Sequence, residues 1–284
     1  VTGNSPTARR RQLITELKQL RERAGLTQGQ AAERLDWHHT KIFRIETGRT
    51  GPHPNDVRLL VEVYGVEDTA QRDALVQLAK EARKRGWWYS YRDVLPSKYE
   101  FYVGMESEAS TINSFELAVI PGLLQTEDYA RELIRCGPLE LDPEEIQRLV
   151  EVRITRQQVL AKQNRPQLWA ILDEAAIRRQ VGGKSVLRAQ LEHLVNSSDG
   201  KTTVQVVESR VGAHPGTTGS FIVLEFPDPA DVDVVYMETI GGDLWVDKPE
   251  DVARYTTAFD HLRAVALSPD DTRVMLNAAI RELR

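Results

Sequence analysis

Residues 25–48, GLTQGQAAERLDWHHTKIFRIETG, decide how the first third of this chain folds. Gly25 stops whatever precedes it, and Thr27 with Gln30 three residues on forms a capping-box pattern that opens a helix through Ala31, Ala32 and Leu35. Asp36-Trp37 breaks that helix. A second apolar rhythm, Ile42 and Ile45, then marks a helix over about 38–47, which Gly48 ends. The two histidines between them, His38 and His39, could be a metal site, an acid–base pair or a surface for another molecule. Neighbours on a helix point about 100° apart and cannot chelate one ion as an i, i+4 pair does. A metal reading therefore fails on geometry.

Outward from this stretch, Leu13, Ile14, Leu17 and Leu20 recur at helical spacing over Ala8–Arg23. A fourth helix is expected from an Asn55 cap with Val57, Leu60 and Val61 inward, and a fifth over about Asp68–Arg85. Five short helices in some eighty residues predict a compact all-α domain. The central pair reads as a helix-turn-helix: Ala32 is small where the helices approach, and Leu35, Ile42 and Ile45 fill their shared core. Trp37 packs at the turn. His39, Thr40, Phe43 and Arg44 are left outward, with Lys41 beside them, on a helix of the width that enters a DNA major groove.

Charge supports a division of labour. Residues 1–92 hold 17 Lys and Arg against 11 Asp and Glu, whereas 93–284 hold 20 against 31. A basic head and an acidic remainder imply different partners, which the overall −5 conceals. One cysteine, Cys136, excludes an internal disulfide and reads as a buried or incidental thiol. No apolar run reaches membrane-spanning length, and the opening VTGNSPTARRRQ lacks the apolar core of a signal peptide, so a cytoplasmic protein with no membrane partner is expected.

Residues 86–104 are rich in aromatics and read as a packed connector between a domain at 1–85 and one at 105–284. Helices are expected at about 105–114, 126–135, 143–163, 184–196, 249–266 and 269–282, with strands at 167–172, 202–208, 219–226, 232–238 and 243–246. Turn-like breaks between the last four strands predict an antiparallel meander. The fold class is α+β: a five-helix head followed by a larger α+β domain with an antiparallel sheet. Gly182-Gly183-Lys184-Ser185 is no phosphate loop, because Arg178 stands where the first glycine belongs and the preceding residues read as helix. Glu225 and Glu238, in or at the ends of apolar strands, read as edge or rim groups. No carboxylate pair, HExxH or Ser-His-Asp order appears, and neither enzyme activity, metal nor cofactor is expected.

The segments GLTQGQAAERL, HHTKIFRIETGR and PHPNDVRLLVEVYGV resemble the XRE (Cro/phage-repressor) helix-turn-helix family over residues 9–66. That resemblance implies base reading by His39, Thr40 and Arg44, with Phe43 as a further contact, and His38 at the cap of the recognition helix. Phosphate contact falls on Gln28, supported by Lys41 and Arg49. Asp36 replaces the glycine usual in the turn, and Asp tolerates left-handed backbone better than most residues.

The segments GWWYSYRDVLPSKYEFYVGMESEAS, VIPGLLQTEDYARELI, GAHPGTTGSFIVLEFPDP, VVYMET and PEDVARYTTAFDHLRAVALSP resemble the domain of unknown function behind such heads in actinomycete WhiJ-like, antitoxin-like regulators. This implies a sensor or partner-binding role. The expectation is a homodimeric regulator that binds a pseudo-palindromic operator in double-stranded DNA and senses a small ligand or protein partner. The alternative is an antitoxin-like protein that holds a small protein encoded nearby. Candidate recognition residues in the second domain are Gln125, Thr126, His214, Thr217 and Trp245.

Overall fold

A computed structural model describes residues 6–46, 50–83, 86–95, 97–137, 140–227 and 231–283, the side chains of 6–8, 39, 97 and 98 excepted. The chain divides into two compact units, Val1–Tyr89 and Ser90–Arg284. The expected Arg49 lies outside the described residues.

In the first unit, α1 (Pro6–Arg23), α2 (Gln28–Arg34), α3 (His39–Glu46), α4 (Pro54–Val63) and α5 (Thr69–Glu81) enclose one apolar core. Leu13 and Leu17, Ala31 and Ala32, Ile42 and Ile45, and Val57 and Leu60 meet there, with Leu35 and Trp37 partly buried at its margin. Each large side chain contributes about 1.5–3 kcal/mol by leaving water. The capping box is present in both directions: the Gln30 amide donates to Thr27 Oγ1 (3.2 Å) and the Thr27 amide to Gln30 Oε1 (2.9 Å). Asp36 takes φ +52°, a left-handed conformation that closes the turn without glycine. The cap of α4 differs from expectation. Pro54, which has no N–H to lose, takes the first helical position and moves the cap back to His53, whose Nδ1 accepts from the Asn55 amide at 3.2 Å.

An ion pair that no periodicity announces ties three of these helices together. Arg21 of α1 donates through Nε and Nη2 to the two carboxylate oxygens of Glu46 at the end of α3 (2.6 and 2.9 Å). Gln28 of α2 donates Nε2 to the same carboxylate at 2.7 Å, and Arg21 Nη1 donates to the Leu26 carbonyl at 2.6 Å. The two charged side chains are only 9% and 4% exposed.

The second unit holds a six-stranded sheet in the order β3-β2-β1-β4-β5-β6. The strands are β1 (Thr111–Glu116), β2 (Gln167–Asp173), β3 (Thr202–Val207), β4 (Phe221–Glu225), β5 (Val234–Met237) and β6 (Leu244–Val246). The helices are α6 (Ser97–Glu106), α7 (Glu127–Arg135), α8 (Pro143–Gln157), α9 (Glu174–Arg178), α10 (Gly183–Ser197), α11 (Pro249–Val265) and α12 (Pro269–Glu282). The sheet is mixed, not antiparallel as expected: β1, β2 and β3 pair in parallel, and β1 meets β4 antiparallel. The meander contains β4, β5 and β6 alone. The crossover through α9 and α10 returns the chain in the direction of β2, and this places β3 on the far edge.

The expected helix at 105–114 is also corrected, because α6 ends at Glu106 and residues 111–116 form a strand. TINSFE lacks strict apolar alternation, and its hydrogen-bonding partners on both sides, β2 and β4, come from distant sequence. On one sheet face Phe115, Ile171, Phe221 and Val235 pack with Phe259 and Leu262 of α11. The opposite face carries Ser114, Ile222 and Tyr236 in one cross-strand row, since Ser114 opposes Ile222 and Ile222 opposes Tyr236.

Glu46→Ala should destabilise the first unit by about 3 kcal/mol, because it leaves the Arg21 charge buried and unpaired. Arg21→Met combined with Glu46→Leu should cost less than Glu46→Ala alone. Calorimetric unfolding of the two variants beside the unaltered protein checks this, and equal costs would exclude a buried unpaired charge as the cause.

Candidate nucleic-acid interface and ligand cavity

The first turn of α3 is organised by His38. Its Nδ1 lies 2.8 Å from Thr40 Oγ1 and accepts from the Thr40 amide at 3.4 Å, so the ring closes the open end of the helix. Beyond it, Thr40 and Arg44 are exposed and Phe43 retains 41% of its surface. A large apolar ring this open on a short helix has a solvation cost that contact with another molecule would relieve.

Lys41 is held within the protein. Its Nζ sits 3.6 Å from the centroid of the Trp37 ring and 2.8 Å from Asp56 Oδ1 on α4. The lysine pins α3 to the turn before it and to the helix after it. Gln28 is likewise held by Glu46, which leaves the second hydrogen of its amide for an external acceptor. His39 begins α3, as its place after His38 requires.

The five residues anticipated in the second unit are spread over several places. Thr126 caps α7, with its hydroxyl accepting from the Tyr129 amide (3.4 Å) and its own amide donating to Gln190 (2.7 Å). His214 is 6% exposed, lies 3.4 Å from Asp173 through Nε2, and meets the Phe115 ring edge-on at 5.7 Å. Thr217 donates to the His214 carbonyl at 2.9 Å. Gly216 presses so close to the Phe115 ring that a Cβ there would collide with it, and this explains the glycine of the loop. Trp245 packs against Tyr236 at 5.0 Å and Phe101 at 4.9 Å. Cys136 is exposed, so of the two expected readings, buried or incidental, the buried one does not hold.

Gln125 alone of the five lines a cavity of about 550 Å³. Its amide donates to the Ile120 carbonyl (2.7 Å), and its oxygen accepts from Arg153 of α8 (3.1 Å). Arg156, one helical turn on, forms a buried ion pair with Glu106 at 2.8 Å. Tyr102 donates to Glu106 at 2.6 Å, and Arg156 donates to the Tyr99 hydroxyl. Burial draws the Arg156 pKa down, but Glu106, ahead of the neighbouring tyrosines, raises it, and the guanidinium stays protonated. Gly122 lets both arginines approach: a Cβ there would lie 2.5 Å from Arg156 Nη2 and 2.9 Å from Arg153 Nη1.

Across the cavity stands Glu116, the last residue of β1. Continuing the strand register by one residue beyond Phe115 and Phe221 puts it opposite Ser220, and the next strand places Glu238 in the same row. Burial pushes its pKa up to about 7; Ser220 draws it down, the like charge of Glu238 pushes it up, and Arg153 draws it down. Glu116 was not anticipated from sequence, and Glu238 was read as a rim group. The only sequence signal was Glu238 at the end of an apolar strand.

These two arrangements define a class of protein: a helix-turn-helix head joined to a mixed-sheet domain with a cavity. A family model for a helix-turn-helix domain matches residues 12–75, and the model for a domain of unknown function, DUF5753, matches residues 99–278. The chain belongs to the DUF5753 family. No curated protein and no solved structure matches it. Among the described residues no helix is long and apolar enough to cross a membrane, and no group of three or more His, Cys, Asp or Glu is placed to hold a metal ion.

The raised pKa of Glu116 makes stability depend on pH. Between its ordinary 4.5 and about 7, the folded protein holds a proton that the unfolded chain releases, so stability falls as pH rises through that window. Glu116→Gln removes this loss and should stabilise the second unit at pH 8 by on the order of 1–3 kcal/mol, with a smaller gain at pH 5. Denaturant unfolding at the two pH values measures the gap; equal gains would show that Glu116 does not titrate in this way.

Proposed function

We propose that the protein is a sequence-specific, DNA-binding transcriptional regulator that reads a pseudo-palindromic operator as a homodimer. The second unit receives the signal, a small ligand or a protein partner. The observation that carries this reading is the outer face of α3, where Thr40, Phe43 and Arg44 are exposed on a helix whose Ile42 and Ile45 are buried. Arg44 has the reach and the paired donors for guanine O6 and N7, and Thr40 and Phe43 suit a thymine methyl. His39 adds a donor or acceptor at the start of the same helix. His38 shapes that start, and Gln28 meets a backbone phosphate with its remaining amide hydrogen. Lys41 acts mainly as a brace, with its charge near the phosphates, and Arg49 is assigned to phosphate support from the family resemblance. The basic balance of residues 1–92 favours approach to DNA, and a two-fold dimer calls for half-sites about one helical turn apart.

Arg44→Ala should reduce discrimination between the operator and random duplex by about 1–3 kcal/mol at the base pair it reads. Fluorescence anisotropy titrations with both duplexes test this, and an unchanged affinity ratio would remove Arg44 from base reading. Affinity for both duplexes should fall steeply and linearly in log–log form as salt rises. Lys41→Ala, which frees Trp37 and Asp56, should weaken both duplexes together; a loss confined to the operator would make Lys41 a base reader instead.

A further inference from the structure

We infer that the cavity of the second unit is a receptor site for a hydrophobic organic cation, with Glu116 supplying the counter-charge. The inference rests on the reading of this unit as the part that receives a small ligand, and it names that ligand's chemistry. At about 550 Å³ the space lies within the range that holds a drug-sized molecule. Its walls are largely apolar, with Ile120, Leu149 and Ile222 among them, and Tyr102 and Tyr236 present aromatic surface. Exposed Glu238, Thr239 and Ile240, the last 97% open, form its mouth. The cavity also lies beside the carboxyl end of β1, the strand at which the sheet changes from parallel to antiparallel pairing.

The arrangement of charge selects the sign of the ligand. Arg156 is neutralised by Glu106, so its guanidinium offers little to an anion. Arg153 is bonded to Gln125 and lies over Gly122. Against that one cation stand two carboxylates, Glu116 and Glu238, in a single row, and neither makes an ion pair among the described residues. The hydroxyl of Tyr236, which also lines the cavity, is buried beside Asp243. An anion entering here would face both carboxylates, and an apolar neutral guest would leave the Glu116 charge with only the Ser114 and Ser220 hydroxyls beside it. A cation with an apolar body satisfies the carboxylate and fills the apolar wall.

The groups facing Glu116 are Glu238 beyond β5, Arg153 of α8, Tyr129 of α7 and the hydroxyls of Ser114 and Ser220. Among these, Glu116 is the group that changes charge near neutrality, so cation affinity should climb as pH rises through about 7.

Tetraphenylphosphonium and tetraphenylborate, nearly identical in shape and opposite in charge, separate the possibilities by titration calorimetry on the full chain at pH 8. One phosphonium per chain is expected, bound at least about tenfold more tightly than borate. Glu116→Gln should weaken it by about tenfold or more and flatten the rise in affinity between pH 6 and 8. Ile222→Trp, which fills the cavity and leaves both acids in place, should block it; this distinguishes the cavity from diffuse attraction to an acidic surface. Tighter borate binding, equal binding of the two ions, or an unchanged affinity in Glu116→Gln would overturn the inference. If Glu116→Gln does not fold, Glu238→Gln and the pH series on the unaltered chain decide it on the same terms. Because no DNA is present, a negative result here leaves operator binding standing, and loss of operator binding leaves this result standing.

Discussion

The Glu46 carboxylate governs the geometry of the DNA-binding head. It accepts from Arg21 of α1 twice and from Gln28 of α2 once, so the buried end of α3 is fixed to both helices that precede it. An eight-residue helix has little stability of its own, and its direction must come from what it is packed and bonded to. Ile42 and Ile45 supply the packing but permit sliding, because apolar contacts are not directional. The forked guanidinium permits one arrangement. A pair of apolar residues could serve stability equally well; the ion pair adds a fixed orientation for the outward residues at the helix's other end.

Lys41 and Gln28 show how this constraint redistributes roles that spacing alone assigns. Both lie where the helix-turn-helix pattern places DNA contacts, and both are already engaged within the protein. The residues α3 exposes besides them are Thr40, Phe43 and Arg44. The engagement also stiffens the platform, because Lys41 joins Trp37 before α3 to Asp56 after it. Contacts held rigid before binding lose less freedom on binding.

The head was legible because its signals are local. The Thr27–Gln30 capping box, Asp36 in the turn and the Ile42–Ile45 spacing each act within a few residues, and each has its expected structural counterpart. The buried Arg21–Glu46 pair spans 25 residues and leaves no such trace. In the second unit most helices and the five anticipated strands were legible from period and breaks, whereas β1 was not. Its residues TINSFE mix polar and apolar positions because partners from β2 and β4 fix it on both edges. The parallel order β3-β2-β1 follows from crossovers of dozens of residues, beyond any local pattern. The cavity escaped for the same reason, since Glu116, Gln125, Arg153 and Tyr236 come from four separate segments. Gln125 was the one lining residue that sequence had singled out for recognition, and Glu238 had been read as a rim group.

The two units use the same chemistry to opposite ends. In the head, every oxygen of Glu46 is engaged, and a carboxylate so satisfied serves architecture. In the second unit the Arg156–Glu106 pair with Tyr99 and Tyr102 is the counterpart, a buried charge balanced by its neighbours. Glu116 departs from both. It is desolvated enough for its pKa to rise toward neutrality, yet it faces a cavity and has no cation bonded to it. Folding alone gives no reason to place a carboxylate there, because an amide or an apolar residue at the end of β1 would be less costly. A fold that satisfies two buried carboxylates and leaves the third unpaired beside open space concentrates its unmet interaction at one point, and a ligand can act on the protein most strongly where such an interaction remains to be made.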